Sequence, residues 1–328
     1  MHAIQEEEEE PEGLTLRKVL ATVWAALAVG VLACIGAGRL GGLYWTFDLF
    51  NHFHLQYAAI GLVGALTGAL MGLRLATVLF ALSFGLSAFQ LLPFFQEPAP
   101  TGREGSVPLR VLAVNVLTAN QDHGLVIDWI VSENADVLVV QETNQTWIDR
   151  LETGLLQYSR VETATVREDN FGLSLYVRNG MGVGEVQILA DPAPVPWIDA
   201  ELTKDERTFH LIALHTMPPV SSSAARDRRE QLDAMAMRAE SMQGPVVVAG
   251  DLNATVWSHD LRRVLERERL RPACFGHGPW GSWPSPLWFT GKILIDHVLV
   301  TSSVSVKDFR VGVDVGSDHR GIVADLVL

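Results

Sequence analysis

Three apolar stretches open the chain. Val19–Ala37 runs 19 residues without a charge and is long enough to cross a hydrocarbon core of about 30 Å as a helix. Tyr57–Leu73 is shorter and rich in glycine, and Leu75–Phe95, with Pro93 near its end, is again of full length. Only Arg74 separates these two, so the pattern predicts antiparallel helices that turn at a headgroup surface. The spacing Gly64, Gly68, Gly72 permits close helix contact, within the chain or between copies. Gln96–Pro108 has the composition of a flexible linker. From Leu109 the pattern changes to short apolar runs between polar helical stretches. "LRVLAVNVL", "ADVLVVQE", "RTFHLIALHT", "PVVVAGDLNAT", "ILIDHVLVT" and "GIVADLVL" read as strands, and His123–Glu133, Ser223–Met242 and Ser258–Arg269 as helices. "GLSLYVRNG" and "VGEVQIL" read as a strand pair turning at Asn179–Gly180. The expected organisation is an acidic cytoplasmic tail over residues 1–18, three transmembrane helices over 19–95, a linker over 96–108 and one mixed α/β domain over 109–328.

Charge adds an orientation and a bias. Arg17, Lys18 and Arg74 fall at one end of the three helices, and the positive-inside tendency makes that end cytoplasmic, which places residues after about 96 outside the cell. The run Glu6–Glu10 reads as a solvated tail. The formal net charge is −13, and most of the acidic excess lies in the polar part of the chain. No basic surface is evident in the composition, so nucleic acid is expected to be an unlikely partner, with a local basic groove left open. Cys34 and Cys274 are too few and too separate for a disulfide scaffold or a thiolate zinc cluster. The charged helices "RDRREQLDAMAMRAE" and "RRVLERERLR" are expected to present solvated faces.

Polar residues gather where the strands end, which is where α/β folds build sites. Asn115 interrupts "VLAVNVL", Glu142 follows "DVLVVQ", His215 closes "LIALH", Asp251 and Asn253 follow "VVVAG", Asp296 interrupts "ILIDHVLV", and Asp318 and His319 precede the last strand. Carboxylate and amide oxygens suit Mg²⁺ or Mn²⁺ rather than Zn²⁺. A hard cation, a histidine held by a carboxylate and a second carboxylate beside an amide together suit hydrolytic attack on phosphorus. His297 should point away from such a site, because strand alternation turns it opposite Asp296. No glycine-rich dinucleotide fingerprint or phosphate-loop lysine is present.

The series "NVL", "VVQE", "LHT", "AGDLNAT", "LIDHVLV" and "GSDHRGI" resembles the endonuclease/exonuclease/phosphatase superfamily over about residues 109–328. The resemblance implies a four-layer α/β sandwich, two packed mixed sheets flanked by helices, behind the all-helical transmembrane region. It also implies roles. Glu142 would be the principal metal ligand, with Asn115 organising the metal site and Asp318 at the metal or its water shell. Asp251 and Asn253 would orient the attacking water and the scissile phosphate. His319, paired with Asp296, and His215 would each serve in proton transfer or in contact with the transition state. Asn170 stands where many members place a phosphate-contacting group, and reads equally well as a turn residue. Leu117 stands where some DNA-repair members carry an aspartate, which points away from a repair nuclease.

The superfamily spans nucleases, sphingomyelinases and inositol-phosphate phosphatases, so its chemistry is firmer than its substrate. Three anchoring helices would hold the site near lipid headgroups, and Trp280, Trp283, Trp288 and Phe289, just before Asp296, would form an interfacial rim or pack a long loop. The layout also resembles an actinobacterial group of membrane proteins associated with teicoplanin resistance, for which action on undecaprenyl-linked phosphate or pyrophosphate in cell-wall metabolism is proposed. The resulting expectation is a Mg²⁺-dependent phosphohydrolase (Mn²⁺ being the alternative ion) with the lipid bilayer and a phosphorylated lipid as partners. A membrane-anchored extracellular nuclease and a non-catalytic phospholipid-binding protein are the alternatives.

Overall fold

A computed structural model describes residues 15–96, 106–165, 168–190, 194–267, 270–287 and 291–328. The acidic run, most of the linker, Trp288 and Phe289 lie outside the described residues. Helix α1 (Leu16–Gly38) starts where the Thr15 side chain accepts a hydrogen bond from the Lys18 amide. A short helix α2 (Trp45–Asp48), a 3₁₀ turn (Leu49–Phe53) and α3 (His54–Leu70) form one continuous apolar path. Helix α4 (Arg74–Leu91) runs into a second 3₁₀ turn at Leu92–Phe95. The stretches Leu16–Gly38, Trp45–Leu70 and Arg74–Phe95 are each long and apolar enough to cross a membrane. The chain does reverse at Met71–Leu73, beside Arg74. Close approach of α3 and α4 depends on glycine, since a Cβ at Gly61 would lie 2.6 Å from the Phe84 amide nitrogen and one at Gly64 2.6 Å from the Phe80 ring.

Among the described residues, the polar part holds twelve strands in two six-stranded sheets. One holds β1 (Pro108–Asn115), β2 (Val137–Gln141), β3 (Tyr158–Thr165), β4 (Leu173–Arg178), β11 (Ser305–Val311) and β12 (Ile322–Val327), in the order β11-β12-β1-β2-β4-β3. The other holds β5 (Gly182–Leu189), β6 (Trp197–Lys204), β7 (Arg207–His215), β8 (Val246–Asp251), β9 (Arg271–Pro272) and β10 (Asp296–Val300), in the order β5-β6-β7-β8-β10-β9. Each sheet has one parallel pair, β1 with β2 and β7 with β8. The crossovers are α5 (His123–Glu133) and α7 (Ser222–Ser241), joined in the outer layers by α6 (Gln145–Gly154) and α8 (His259–Arg267).

Strand alternation sorts the side chains into layers. Val111, Ala113 and Val139 face Ala213, Val247 and Ala249 in the core between the sheets. Their neighbours Leu112, Val114, Leu138 and Val140 pack outward on Trp129 of α5 and Trp147 of α6, while Ile212, Leu214 and Val248 pack on Leu232 of α7 and Leu261 of α8. The result is an α/β sandwich of two mixed sheets flanked by helices.

Two expectations fail. The strands either side of Asn179–Gly180 do not pair. β4 pairs with β2 and β3, whereas β5 pairs with β6, so the turn carries the chain from one sheet to the other. The burial difference explains it: β4 is buried on both faces as an interior strand, and β5 is largely exposed as an edge. Nor is the charged face of α7 wholly solvated. Arg228 is only 1% exposed, and its guanidinium contacts Asp48 at 3.1 Å, Asp260 at 3.4 Å and the carbonyl of Asn253 at 2.7 Å. Asp48 also accepts hydrogen bonds from the His259 amide at 2.6 Å and from Asn51 at 3.0 Å. Further contacts tie the anchor to the sandwich: Trp257 donates to the Gln90 carbonyl at 3.0 Å, and the Phe94 ring packs 5.5 Å from Trp257 and 5.3 Å from Phe275.

Removing Asp48 leaves the buried Arg228 with only Asp260 and the Asn253 carbonyl to compensate its charge. Asp48→Leu should therefore destabilise the detergent-solubilised chain by about 3 kcal/mol, and adding Arg228→Met should recover most of the loss. Thermal melts of the two variants check this, and an equal loss in both would show that the pair does not carry the docking.

Candidate active site

Both parallel pairs end at the same edge of the sandwich. Asn115 closes β1 opposite Gln141, and His215 closes β7 opposite Asp251, which in turn faces Asp296 across the antiparallel β8–β10 pair. Glu142 leaves β2 with φ of 61°, a left-handed conformation that aims its side chain over the strand ends. Its amide donates to the Gly172 carbonyl at 2.7 Å. Asn253 also has positive φ, 46°, and its amide donates to Asp251 Oδ1 at 2.8 Å, closing the "GDLN" turn. A glycine is required before Asp251, because a Cβ at Gly250 would lie 1.9 Å from the Leu214 carbonyl oxygen.

The side chains then converge. Asn115 Nδ2 donates to Glu142 Oε1 at 2.8 Å and to Asp251 Oδ2 at 3.3 Å. His215 Nε2 and His319 Nε2 lie 3.5 and 3.7 Å from the same Asp251 oxygen. His319 Nδ1 contacts Asp296 Oδ2 at 2.9 Å. Asn253 Nδ2 donates to the Thr216 carbonyl at 2.8 Å, and Asp318 accepts from the Trp283 indole at 3.2 Å. His297 is turned away, with Nε2 against the Ala254 carbonyl at 2.8 Å, and burial lowers its pKa to about 4.

Several positioning residues escaped the sequence reading. Thr118 holds Glu142 from two sides, its hydroxyl on the Glu142 carbonyl at 2.8 Å and its amide toward Oε2 at 3.4 Å. Ser317 donates to the Asn115 carbonyl at 2.7 Å and accepts from the His319 amide at 3.1 Å, pinning the "GSDH" loop to the end of β1. A hydroxyl one or three residues from each expected site group is a faint signal, since such residues are equally common in turns.

Burial sets the electrostatics. It raises the Glu142 carboxyl to about 7, helped by the Asp251 carboxylate and opposed by the Asn115 hydrogen bond and His319. Burial also pushes Asp251 up and His215 down. For His319 burial opposes the charge, but the carboxylates of Asp296 and Asp251 outweigh it and hold the imidazolium up to about 10. The site thus gathers more carboxylate than cation. Asp296 Oδ1 and Asp318 Oδ1 are buried without a hydrogen-bond partner among the described residues, and Asp251, Asp296 and His319 offer ligand atoms within 4.8 Å of one another. This donor set fits a divalent cation, although the compact trio differs from the expected set of Asn115, Glu142 and Asp318. The Asn115 amide nitrogen bridges Glu142 and Asp251, so Glu142 stands beside the trio as a further oxygen donor, while Nδ1 of His319 is engaged by Asp296.

Glu142, His215, Asp251, Asn253, Asp318 and His319 line a cavity of about 630 Å³. Asn170, with φ of 66°, and Phe171 line one side of it, the Phe171 ring 5.4 Å from that of His215, and Trp283 lines another, 6.4 Å from His319. Trp280 borders a separate cavity.

A sequence profile of the endonuclease/exonuclease/phosphatase family matches residues 112–319. No curated protein sequence matches the chain. Among solved structures, the fold is similar to zebrafish TDP2 complexed with single-strand DNA product (15% identity, TM-score 0.58, covering 67% of this chain and 98% of that one). It is likewise similar to a family member from Bacteroides vulgatus (20% identity, TM-score 0.58, 67% and 98%) and to a mannosyl-6-phosphatase from Bacteroides thetaiotaomicron (18% identity, TM-score 0.55, 67% and 100%). The TDP2 complex overturns the expectation that nucleic acid is an unlikely partner. This fold accommodates a DNA strand in that protein, and net charge averages over a surface on which one local groove suffices.

The His319 pair has a pH signature. Its folded pKa, about 10, exceeds the ordinary 6.5, so the stability it contributes is whole below about 6.5 and is lost as pH rises toward 10. The cost of ionising Glu142 is complete above about 7. In chelator, melting temperature should fall between pH 7 and 10 in the parent chain, and Asp296→Asn should flatten that slope. A variant that keeps the full slope would refute the pairing.

Proposed function

Because the chain belongs to the endonuclease/exonuclease/phosphatase family, we propose that it is a divalent-metal-dependent hydrolase acting on a phosphoester or phosphoanhydride of a lipid-linked substrate. The observation that carries the chemistry is the buried set Glu142, Asp251 and His319 lining one cavity, with Asp296 behind His319. The observation that favours a lipid is the rigid attachment of that sandwich to three apolar helices through Asp48, Arg228 and Phe94.

Glu142 would hold the cation, oriented by the Asn115 amide, with Asp251 and Asp318 beside it or its water shell. Bound there, Mg²⁺ or Mn²⁺ would neutralise a phosphate oxygen and the charge gathering on the leaving group. Asp251 takes the proton of the attacking water, its basicity raised by burial and its orientation fixed by the Asn253 amide. His319, kept cationic by Asp296, donates from Nε2 to the phosphoryl group as its charge develops. His215 and Asn253 contact the phosphoryl group, and the Phe171 ring packs against His215 at 5.4 Å. Within the lipid class, undecaprenyl-linked phosphate or pyrophosphate is the reading that the anchored layout favours. Arg17, Lys18 and Arg74 lie at the end of the helices away from the sandwich, which supports an outward-facing catalytic domain.

A nuclease is the second reading, favoured by the DNA-bound TDP2 structure of the same fold. A panel of undecaprenyl phosphate, its pyrophosphate, a phospholipid and single-stranded DNA separates the two. Lipid phosphate should be released with Mg²⁺ and not with EDTA, and DNA cleavage without lipid turnover would instead establish the nuclease. Glu142→Gln and His319→Ala should each lower kcat by about 10²-fold or more in a folded protein. An alkaline-phosphatase fusion at the C-terminus should be active if the domain faces outward.

A further inference from the structure

The floor of the catalytic cavity belongs to the sandwich, but one wall does not. Leu49, His52 and Phe53, in the 3₁₀ turn that opens the second apolar stretch, line the same cavity as Asp251 and His319. Across the opening stand Val220, Trp283 and Ile293. Phe53 is 39% exposed and Val220 77% exposed, so apolar side chains reach from the membrane helices to the lip of a cavity whose base is charged. That gradient matches an amphiphile with its phosphate at the bottom and its chain leaving along the wall.

His52 adds a polar contact from the same turn. Its Nδ1 faces the Thr255 hydroxyl at 3.0 Å and accepts from the Thr255 amide at 3.3 Å. The ring proton therefore sits on Nε2, which makes no hydrogen bond among the described residues. Thr255 lies two residues beyond Asn253, whose carbonyl is held by Arg228, which is in turn held by Asp48. The turn is thus locked to the catalytic loop on both flanks of His52.

Resting on the phosphohydrolase reading, we propose that the membrane anchor is part of the substrate site: Leu49 and Phe53, facing Val220, hold the first carbons of a lipid chain, and His52 Nε2 donates to an anionic oxygen of its headgroup. The anchor would then select for an apolar chain attached to phosphate, in addition to tethering the enzyme.

The test is calorimetric binding of linear alkyl phosphonates, ethyl to octyl, to the full chain with Mg²⁺, which reads the site without turnover. Affinity should rise about fourfold per methylene until the wall is covered. Phe53→Ser should flatten the rise, and so should Val220→Ser, which alters an exposed side chain and spares the fold. His52→Asn, which keeps an acceptor for the Thr255 amide, should lower affinity about tenfold at every chain length without changing the slope, and His52→Gln should restore most of it. Affinity independent of chain length, or a rise untouched by both serine variants, overturns the proposal. Chain-dependent binding with no turnover of any lipid phosphate would overturn the phosphohydrolase reading instead, so the two failures are distinguishable.

Discussion

The carboxylate of Asp251 ends a strand of one sheet and accepts a hydrogen bond from Asn115, which ends a strand of the other. Both histidines of the site lie within 3.7 Å of the same oxygen. A buried anion with so many neighbours tolerates little displacement, because each neighbour compensates part of its desolvation. The relative placement of the two sheets is therefore a chemical requirement as well as a packing solution. Interleaved small residues such as Ala113, Ala213 and Ala249 let the sheets approach closely enough to meet it.

Much of this arrangement could be read from the chain, for a physical reason. A strand buried on both faces reads as an unbroken apolar run, and a polar residue that interrupts it carries an energetic cost. Asn115, Glu142, Asp251 and Asp296 stood out in this way, and the structure brings them together. The strands with more polar sequence were harder to see. "YSRVETAT", "WIDAELTK" and "SVKDFRV" became β3, β6 and β11, and their polar alternation resembles that of a loop or a helix. The turn at Asn179–Gly180 was visible, but not the change of sheet that it makes, because a turn's composition describes its own backbone and not the partners of the strands it joins.

Arg228 shows a different limit. Within α7 it sits among arginines and acids whose periodicity suits a solvated face, and nothing local marks it as buried. Its partner was the better clue. Asp48 is the one carboxylate between Glu12 and Glu97, embedded in apolar sequence, and an isolated charge there calls for a cation from elsewhere. The distance along the chain hides the answer, since tertiary contacts between distant segments leave no periodicity to detect.

That same distance bears on how the protein is made. Asp48 emerges 180 residues ahead of Arg228, so the apolar helices are made long before its counterion exists. Through that interval an unpaired carboxylate marks the start of the second span and keeps that end in contact with water. When α7 and α8 form, Arg228 and the His259 amide close over it. The ion pair can therefore close only once α7 has been made, so an unassembled chain and a finished one differ by an uncompensated charge at Asp48.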